Sequence, residues 1–289
     1  MSGLLSGKAA IITGASRGIG RAIAEAFVDA GASVLLAARA TGALDEAARS
    51  LRERCAPGQH VATTAADVGV PEEIDTLVGH AIEVFGRVHI LVNNAGIYGP
   101  KGRIEAVDWA EWEHALRVNL FGSVYAARAI VPHFRAHGGG KIVQLSGGGA
   151  TSPMPYLSAY AASKAAVVRF VETLALEVRD AGIEVNAIAP GAINTAMLDE
   201  IIAAGPERVG EEQYRRALRQ RAEGGAPVEH AASLAVWLAS SASDGITGKL
   251  ISAVWDPWRD LASHRADLAG RDIYTLRRIV PKDRGLEWG

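Results

Sequence analysis

The chain has 289 residues, enough to bury a large core as one big α/β domain or two smaller ones. Apolar residues make up 49% and charged residues 21%, and a net charge of −2 gives no argument for a nucleic-acid or membrane partner. No apolar run is long enough to cross a bilayer, the first residues enter a strand pattern without a secretory apolar region, and the single Cys55 excludes an internal disulfide, so a soluble cytoplasmic protein is expected.

The elements alternate from the start. AAIIT (9–13) is a short apolar run that ends in glycines, and RAIAEAFVDAG after it is amphipathic. SVLLAA (33–38) precedes the helical LDEAARSLRERC. HVATTAA, EEIDTLVGHAIEVF and VHILV repeat the alternation. Two long helical stretches run from Trp109 to about His137, beside the strand KIVQLS (141–146), and Asp108 with Glu111 forms a capping box for the first. A helix over about 158–180 leads to the strand IEVNAIA (183–189), then to irregularly punctuated helix over 192–226. VEHAASLAVWLA and a last strand, KLISAV, follow. Short continuous apolar strands between helices indicate a parallel sheet covered on both faces. No linker or repeat breaks the pattern, so the fold class is a doubly wound, Rossmann-type α/β domain over residues 1–256, with 257–289 as its C-terminal extension.

TGASRGIG (13–20) lies between the first strand and the first helix. Gly14, Gly18 and Gly20 allow a tight turn and close approach of a pyrophosphate to the free N–H groups of the helix start. The end of the second strand reads Ala37-Ala38-Arg39. An acid there would bind the ribose 2′-OH of NAD, whereas Arg39, with Arg17 and Ser16, suits the 2′-phosphate of NADP. Solvated surface arginines are the plain alternative.

YAASK (160–164) places Tyr160 and Lys164 four residues apart, on one face of a helix. Free tyrosine has a pKa of about 10, and a nearby cation favours tyrosinate, which suits the pair to proton exchange with a substrate oxygen. A zinc reading of His133 and His137 fails at Phe134, where such a helix needs glutamate. The basic run YRRALRQR (214–221) reads as a solvated helix face, or as a surface for an acidic substrate.

Taken in order, TGASRGIG, Asp67-Val68, NNAG (93–96), Asn119, YAASK and PGAINT (190–195) resemble the short-chain dehydrogenase/reductase family in its shorter form, over roughly residues 6–256. The resemblance implies a seven-stranded sheet and a nicotinamide cofactor, NADP(H) here, with NAD(H) possible. It implies that Asp67 and Val68 meet the adenine, and that Asn93, Ala95 and Gly96 lie under its ribose and stabilise the central sheet. Ile19 belongs to the phosphate turn, and Pro190, Gly191, Ile193 and Thr195 lie along the nicotinamide. Lys164 would hold the ribose hydroxyls and Asn119 a water in line with that lysine. The substrate would be a small ketone or secondary alcohol, and the protein a homo-oligomer, dimer or tetramer.

One position departs from that pattern. The family serine stands about thirteen residues before the tyrosine, where this chain has Gly147, with Ser146 one residue early. Either a bulge at the strand end brings Ser146 into the site, which is the placement adopted, or a backbone N–H of the glycine run, Thr151 or Ser152 takes its place. The missing serine also keeps open a cofactor-binding regulator or structural subunit without turnover. Trp258, Tyr274, Trp288 and the apolar Leu276, Ile279 and Val280 predict an extension ordered against its own subunit or a neighbour.

Overall fold

The computed structural model describes residues 3–288. Seven parallel strands form one sheet in the order β3-β2-β1-β4-β5-β6-β7. They are β1 (Ala9–Thr13), β2 (Ser33–Ala38), β3 (Val61–Ala65), β4 (Ile90–Asn93), β5 (Gly140–Leu145), β6 (Ile183–Ala189) and β7 (Leu250–Ser252). The order reverses between β1 and β4. Crevices at such a switch point, outside the carboxyl ends of the strands, are where doubly wound sheets take ligands.

Each strand feeds both faces because successive side chains point to opposite sides. Ala10 and Ile12, Val34 and Leu36, and Val143 and Leu145 pack into one core with α1 (Gly18–Asp29), α2 (Thr41–Arg52) and α10 (Val228–Ala239). Ile11, Leu35 and Ala37, Leu91 and Ile142 face the other, with α3 (Pro71–Phe85), α5 (Gly122–Ala136) and α6 (Ser158–Glu177). The helix α4 (Trp109–Leu116) begins where expected, with Asp108 Oδ1 accepting from Glu111 N at 2.9 Å. It reaches α5 through a π-helical turn, Arg117–Phe121, which presents Asn119 inward. The punctuated stretch resolves into α7 (Ala196–Ala204), α8 (Pro206–Val209) and α9 (Glu211–Glu223). The last strand is shorter than KLISAV because the chain turns at Ala253.

The extension packs on its own subunit. Trp258, Leu261 and Leu268 are buried in the core beside α10, with Trp258 against Trp237 at 5.9 Å. Further on, the chain runs along the outer edge of β7, where Leu250 N donates to Tyr274 O at 2.8 Å. The buried Lys249 donates to Arg271 O at 2.8 Å and to Ile273 O at 2.9 Å, and Glu172 of α6 accepts from Leu276 N at 2.6 Å. Ile279 and Trp288 stay exposed. His133 and His137 serve the backbone: His133 Nε2 accepts from Val88 N at 3.0 Å, and His137 Nδ1 pairs with His133 O at 2.8 Å.

Candidate active site

The carboxyl ends of β1, β4, β5 and β6 bring the expected motifs together. The glycine loop is held by Asn94, whose Nδ2 donates to Thr13 O at 2.9 Å and Gly14 O at 3.1 Å. Thr13 Oγ1 in turn accepts from Asn94 N at 3.0 Å and Ala95 N at 3.1 Å. The fit leaves no space: a β-carbon on Gly20 would stand 2.3 Å from Asn94 Nδ2 and 2.4 Å from Gly14 O. Gly14 and Gly18 take positive φ, 66° and 57°, a conformation that side chains disfavour. Gly18 opens α1, Arg17 gives it no side-chain cap, and Thr195 Cγ2 lies 3.9 Å from where a Gly18 β-carbon would be. The first turn of α1 therefore offers uncapped N–H groups toward the segment Pro190–Thr195. Within that segment Pro190 is buried, Gly191 takes φ 89° against Val254, and Ile193 leans on the core.

At the adenine side, Ser16 is half-buried and Arg17 exposed. Arg39, also exposed, places Nη1 3.8 Å from Asp67 Oδ2. Asp67 Oδ1 accepts from Gly69 N at 2.8 Å. Val68 is buried against Gly122, where a β-carbon would come within 2.8 Å of its side chain. Ile19 packs its side chain on the core.

Asn93 takes the sheet-stabilising part expected of its motif. Side-chain alternation along β4 turns it to the α5 side, where it is buried and its Nδ2 donates to Ser123 O at 3.3 Å. It serves the sheet interior. The contact with the glycine loop belongs to Asn94, which NNAG contained and the residue-by-residue reading passed over.

Asn119 and Lys164 converge on Gly96. A β-carbon there would lie 3.2 Å from Asn119 Oδ1 and 3.5 Å from Lys164 Nζ. Asn119 is fully buried; its Nδ2 donates to Ile97 O and to Ser163 Oγ, both at 2.9 Å, and its Oδ1 accepts from Ile97 N at 2.8 Å. Both amide hydrogens are spent, so a water held by Asn119 has to donate to one of its oxygens, Oδ1 or the main-chain carbonyl. Lys164 Nζ donates to Leu145 O at 3.0 Å and lies 5.7 Å from the centre of the Tyr160 ring. Burial pushes the Lys164 ammonium down to about 8.

Tyr160 differs from expectation in its acidity. Burial, and then the neighbouring Tyr98, hold its phenol well above the ordinary range. Desolvation dominates, because the ring packs against an apolar cluster of Leu157, Leu198, Ile201 and Val209, with Tyr98 and Tyr214 beside it at the border. Tyr98 meets the Tyr160 ring edge-on at 4.7 Å. Across the cluster's outer lip, Lys101 reaches Glu200 of α7 at 3.1 Å and covers the Tyr98 ring at 5.5 Å. Sequence reasoning missed Tyr98, Lys101 and Glu200, which carry no motif.

Ser146 needs correction. The β5–β6 ladder runs one-to-one through Leu145, and Ser146 N continues it to Ile188 O at 2.8 Å, so no bulge forms. Ser146 therefore keeps the facing of Ile142 and Gln144, toward α6, and its buried Oγ donates to Lys164 O at 3.2 Å. Gly147 is the residue against Tyr160: a β-carbon there would lie 2.5 Å from the phenol oxygen. Thr151 and Ser152 are exposed. In the basic run, Arg215 pairs with Glu211 and Arg221 with Asp199, while Arg216 and Arg219 line an open cleft of about 530 Å³ with Trp255.

Comparison with known proteins agrees with this architecture. The family model described as short chain dehydrogenase matches residues 8–205. A 3beta-hydroxysteroid dehydrogenase 1 of Eggerthella lenta is 39% identical over 248 residues, covering 84% of this chain and 91% of that one. A D-beta-hydroxybutyrate dehydrogenase of Rhizobium meliloti is 33% identical over 255 residues, covering 85% and 96%. The crystal structure of L-sorbose reductase from Gluconobacter frateurii, complexed with NADPH and L-sorbose, superposes with a TM-score of 0.78 at 36% identity, over 87% of this chain and 97% of that one. The chain belongs to the short-chain dehydrogenase family and is an NAD(P)-dependent oxidoreductase that works between alcohol and ketone.

Proposed function

We propose that this oxidoreductase prefers NADP(H) and reduces an uncharged, largely apolar ketone, with Tyr160 as the proton donor. The observation that carries the reading is the buried Tyr160–Lys164 pair, set beside Gly96 and under an apolar cluster. The crevice fits a dinucleotide: Gly14 and Gly20 are packed too closely for any side chain, and uncapped N–H groups open α1. Ala38 and Arg39 at the end of β2 support a 2′-phosphate, with Arg17 and Ser16 as further donors. Asp67, Val68, Ala95 and Gly96 would flank the adenosine. Lys164 would hold the nicotinamide ribose, and Pro190, Gly191, Ile193 and Thr195 the nicotinamide end. When bound, the dinucleotide supplies or accepts the hydride.

Tyr160 keeps its proton at neutral pH because burial raises its phenol, so it is poised to give that proton to a carbonyl oxygen. Lys164 and Asn119 lie behind it, toward Gly96, where a proton path can refill the phenol. The name of one relative, a 3beta-hydroxysteroid dehydrogenase, supports a cyclic, largely apolar alcohol or ketone. We take residues 1–256 as the catalytic domain and 257–289 as its extension, in a cytoplasmic homo-oligomer.

The test mixes the protein with NADPH or NADH and a panel of cyclic and open-chain ketones while following absorbance at 340 nm. Turnover should appear with NADPH first, and Tyr160→Phe should remove it by about 10²–10⁴-fold, with dinucleotide binding intact. A Phe variant within threefold of the unmutated protein overturns the assignment.

A further inference from the structure

We infer that Tyr98 supplies the second hydroxyl of the site, donating to the same substrate oxygen that receives the proton of Tyr160. The inference rests on the reading of Tyr160 above and adds a residue to it.

The argument begins with two phenols. Tyr98 and Tyr160 meet edge-on at 4.7 Å at the border of one apolar cluster. Among the described residues neither hydroxyl has a hydrogen-bond partner, and neither is among the fully enclosed unpaired atoms. Phenol hydroxyls in largely buried positions ordinarily find a partner. Two such hydroxyls on touching rings, left without one yet not sealed in, suit an oxygen that arrives with a ligand. The two phenols also sense each other, since Tyr98 raises Tyr160.

The serine and threonine hydroxyls of the strand end and of α6 are committed or exposed. Ser146 Oγ donates to Lys164 O at 3.2 Å, and Ser163 Oγ donates to Tyr160 O at 2.7 Å. Thr151 and Ser152 are exposed. Gly147 has no side chain, and the Tyr160 oxygen fills the space where one would begin.

The chemistry asks for a second donor. As hydride reaches a carbonyl carbon, negative charge grows on the oxygen, which has lone pairs for two hydrogen bonds. Tyr160 transfers its proton along one of them. A donor on the other stabilises the charge without giving its proton up. Tyr98 suits that task because burial, then Glu200, push its phenol up to about 12, so it stays protonated throughout the working range. Lys101 lies over its ring at 5.5 Å and is tied to Glu200, which holds the ring from outside.

The test is Tyr98→Phe, which keeps the ring packing and removes only the hydroxyl. It is assayed on the fastest ketone of the panel, beside Tyr160→Phe. The expected result is a fall in kcat of at least tenfold with KM within threefold, and unchanged NADPH affinity by fluorescence titration. An unchanged kcat overturns the inference and leaves an N–H of the glycine run as the donor. A loss confined to KM also overturns it, since that is packing alone. If Tyr160→Phe keeps its turnover, the underlying reading fails, and the inference with it.

Discussion

The phenol oxygen of Tyr160 lies against the α-carbon of Gly147, so closely that a β-carbon built there would stand 2.5 Å from it. Gly147 has φ −179° and ψ 176°, extended backbone that any residue adopts, so the constraint is space alone. Restoring a serine at this position should therefore not restore a better site. Gly147→Ser is expected to push the Tyr160 hydroxyl aside and lower kcat at least fivefold, and Gly147→Ala should do the same, because the β-carbon is the cause. Overpacking of this kind also costs about 1–3 kcal/mol, readable as a lower Tm. A Ser variant faster than the unmutated protein, with the Ala variant slower, would mean that Tyr160 has room to retreat and that a hydroxyl at position 147 is welcome.

The pH dependence follows from the raised phenol. With Tyr160 as the proposed proton donor, reduction needs it protonated, and burial holds its pKa above the ordinary tyrosine range. Carbonyl reduction should be flat between pH 6 and 9. Alcohol oxidation needs the phenolate and should climb about tenfold per pH unit over the same window. Stopped-flow rates of the hydride step in both directions check this. A reduction rate that falls between pH 7 and 8 would reject a raised phenol as the proton donor of the bound state.

Much of this architecture was readable in advance because it depends on local pattern. Short apolar strands between amphipathic helices announced the parallel sheet, and β6 follows IEVNAIA residue for residue. The glycine loop and the Tyr160–Lys164 spacing likewise lie within one turn or one helix. What escaped depends on long-range packing. Whether Ser146 or Gly147 meets Tyr160 was settled by strand facing at the end of β5, where the ladder to β6 continues without a bulge. Asn93 and Asn94 are neighbours whose tasks differ only through alternation along β4. Tyr98 gains its place from a ring 62 residues further along the chain. The acidity of Tyr160 went the other way because spacing reveals the lysine but not the apolar cluster that desolvates the phenol.

Lys164 carries a cost to stability that should be measurable. Its ammonium is buried, its one protein hydrogen bond among the described residues is to Leu145 O, and its pKa is pushed from 10.5 to about 8. Between those values the unfolded chain holds the proton and the folded chain does not, so stability should rise with pH from about 8 to 10.5. Below pH 8 the penalty is constant, on the order of 3 kcal/mol by the pKa difference. Lys164→Met should thus be the more stable protein without dinucleotide at pH 7, by an amount that shrinks toward pH 10, while its turnover collapses. Urea unfolding at several pH values reads this directly, and equal stability of the two proteins at pH 7 would reject it.

The proposed preference for NADPH rests on Arg39, whose Nη1 lies 3.8 Å from Asp67 Oδ2. An acid at position 39 would stand beside Asp67 and harm both cofactors through like-charge repulsion, so glutamine is the cleaner replacement. Arg39→Gln should weaken NADPH about ten- to hundredfold, the value of one charge-assisted phosphate contact, and leave NADH within threefold. Equal Kd values for NADPH and NADH in the unmutated protein would remove the basis for the preference.

The extension invites a test that separates its two halves. Its inner half is held within the subunit: Lys249 donates to the carbonyls of Arg271 and Ile273, and Glu172 accepts from Leu276 N. Its outer half leaves Ile279, Leu286 and Trp288 exposed, with Trp255 at the end of the sheet exposed as well. Glu172→Leu should cut the inner latch, since a backbone hydrogen bond to a charged group contributes about 1.5–3 kcal/mol. Hydrogen exchange at Leu276 and Leu250 should then quicken by about ten- to hundredfold, with the core strands still protected. Truncation after Arg278 leaves the latch and the buried Trp258, Leu261 and Leu268 untouched. If the outer half clasps a neighbouring subunit, that truncation lowers the mass seen in light scattering while circular dichroism stays the same. A mass unchanged by the truncation would restrict the extension to its own subunit, as the cover of the β7 edge.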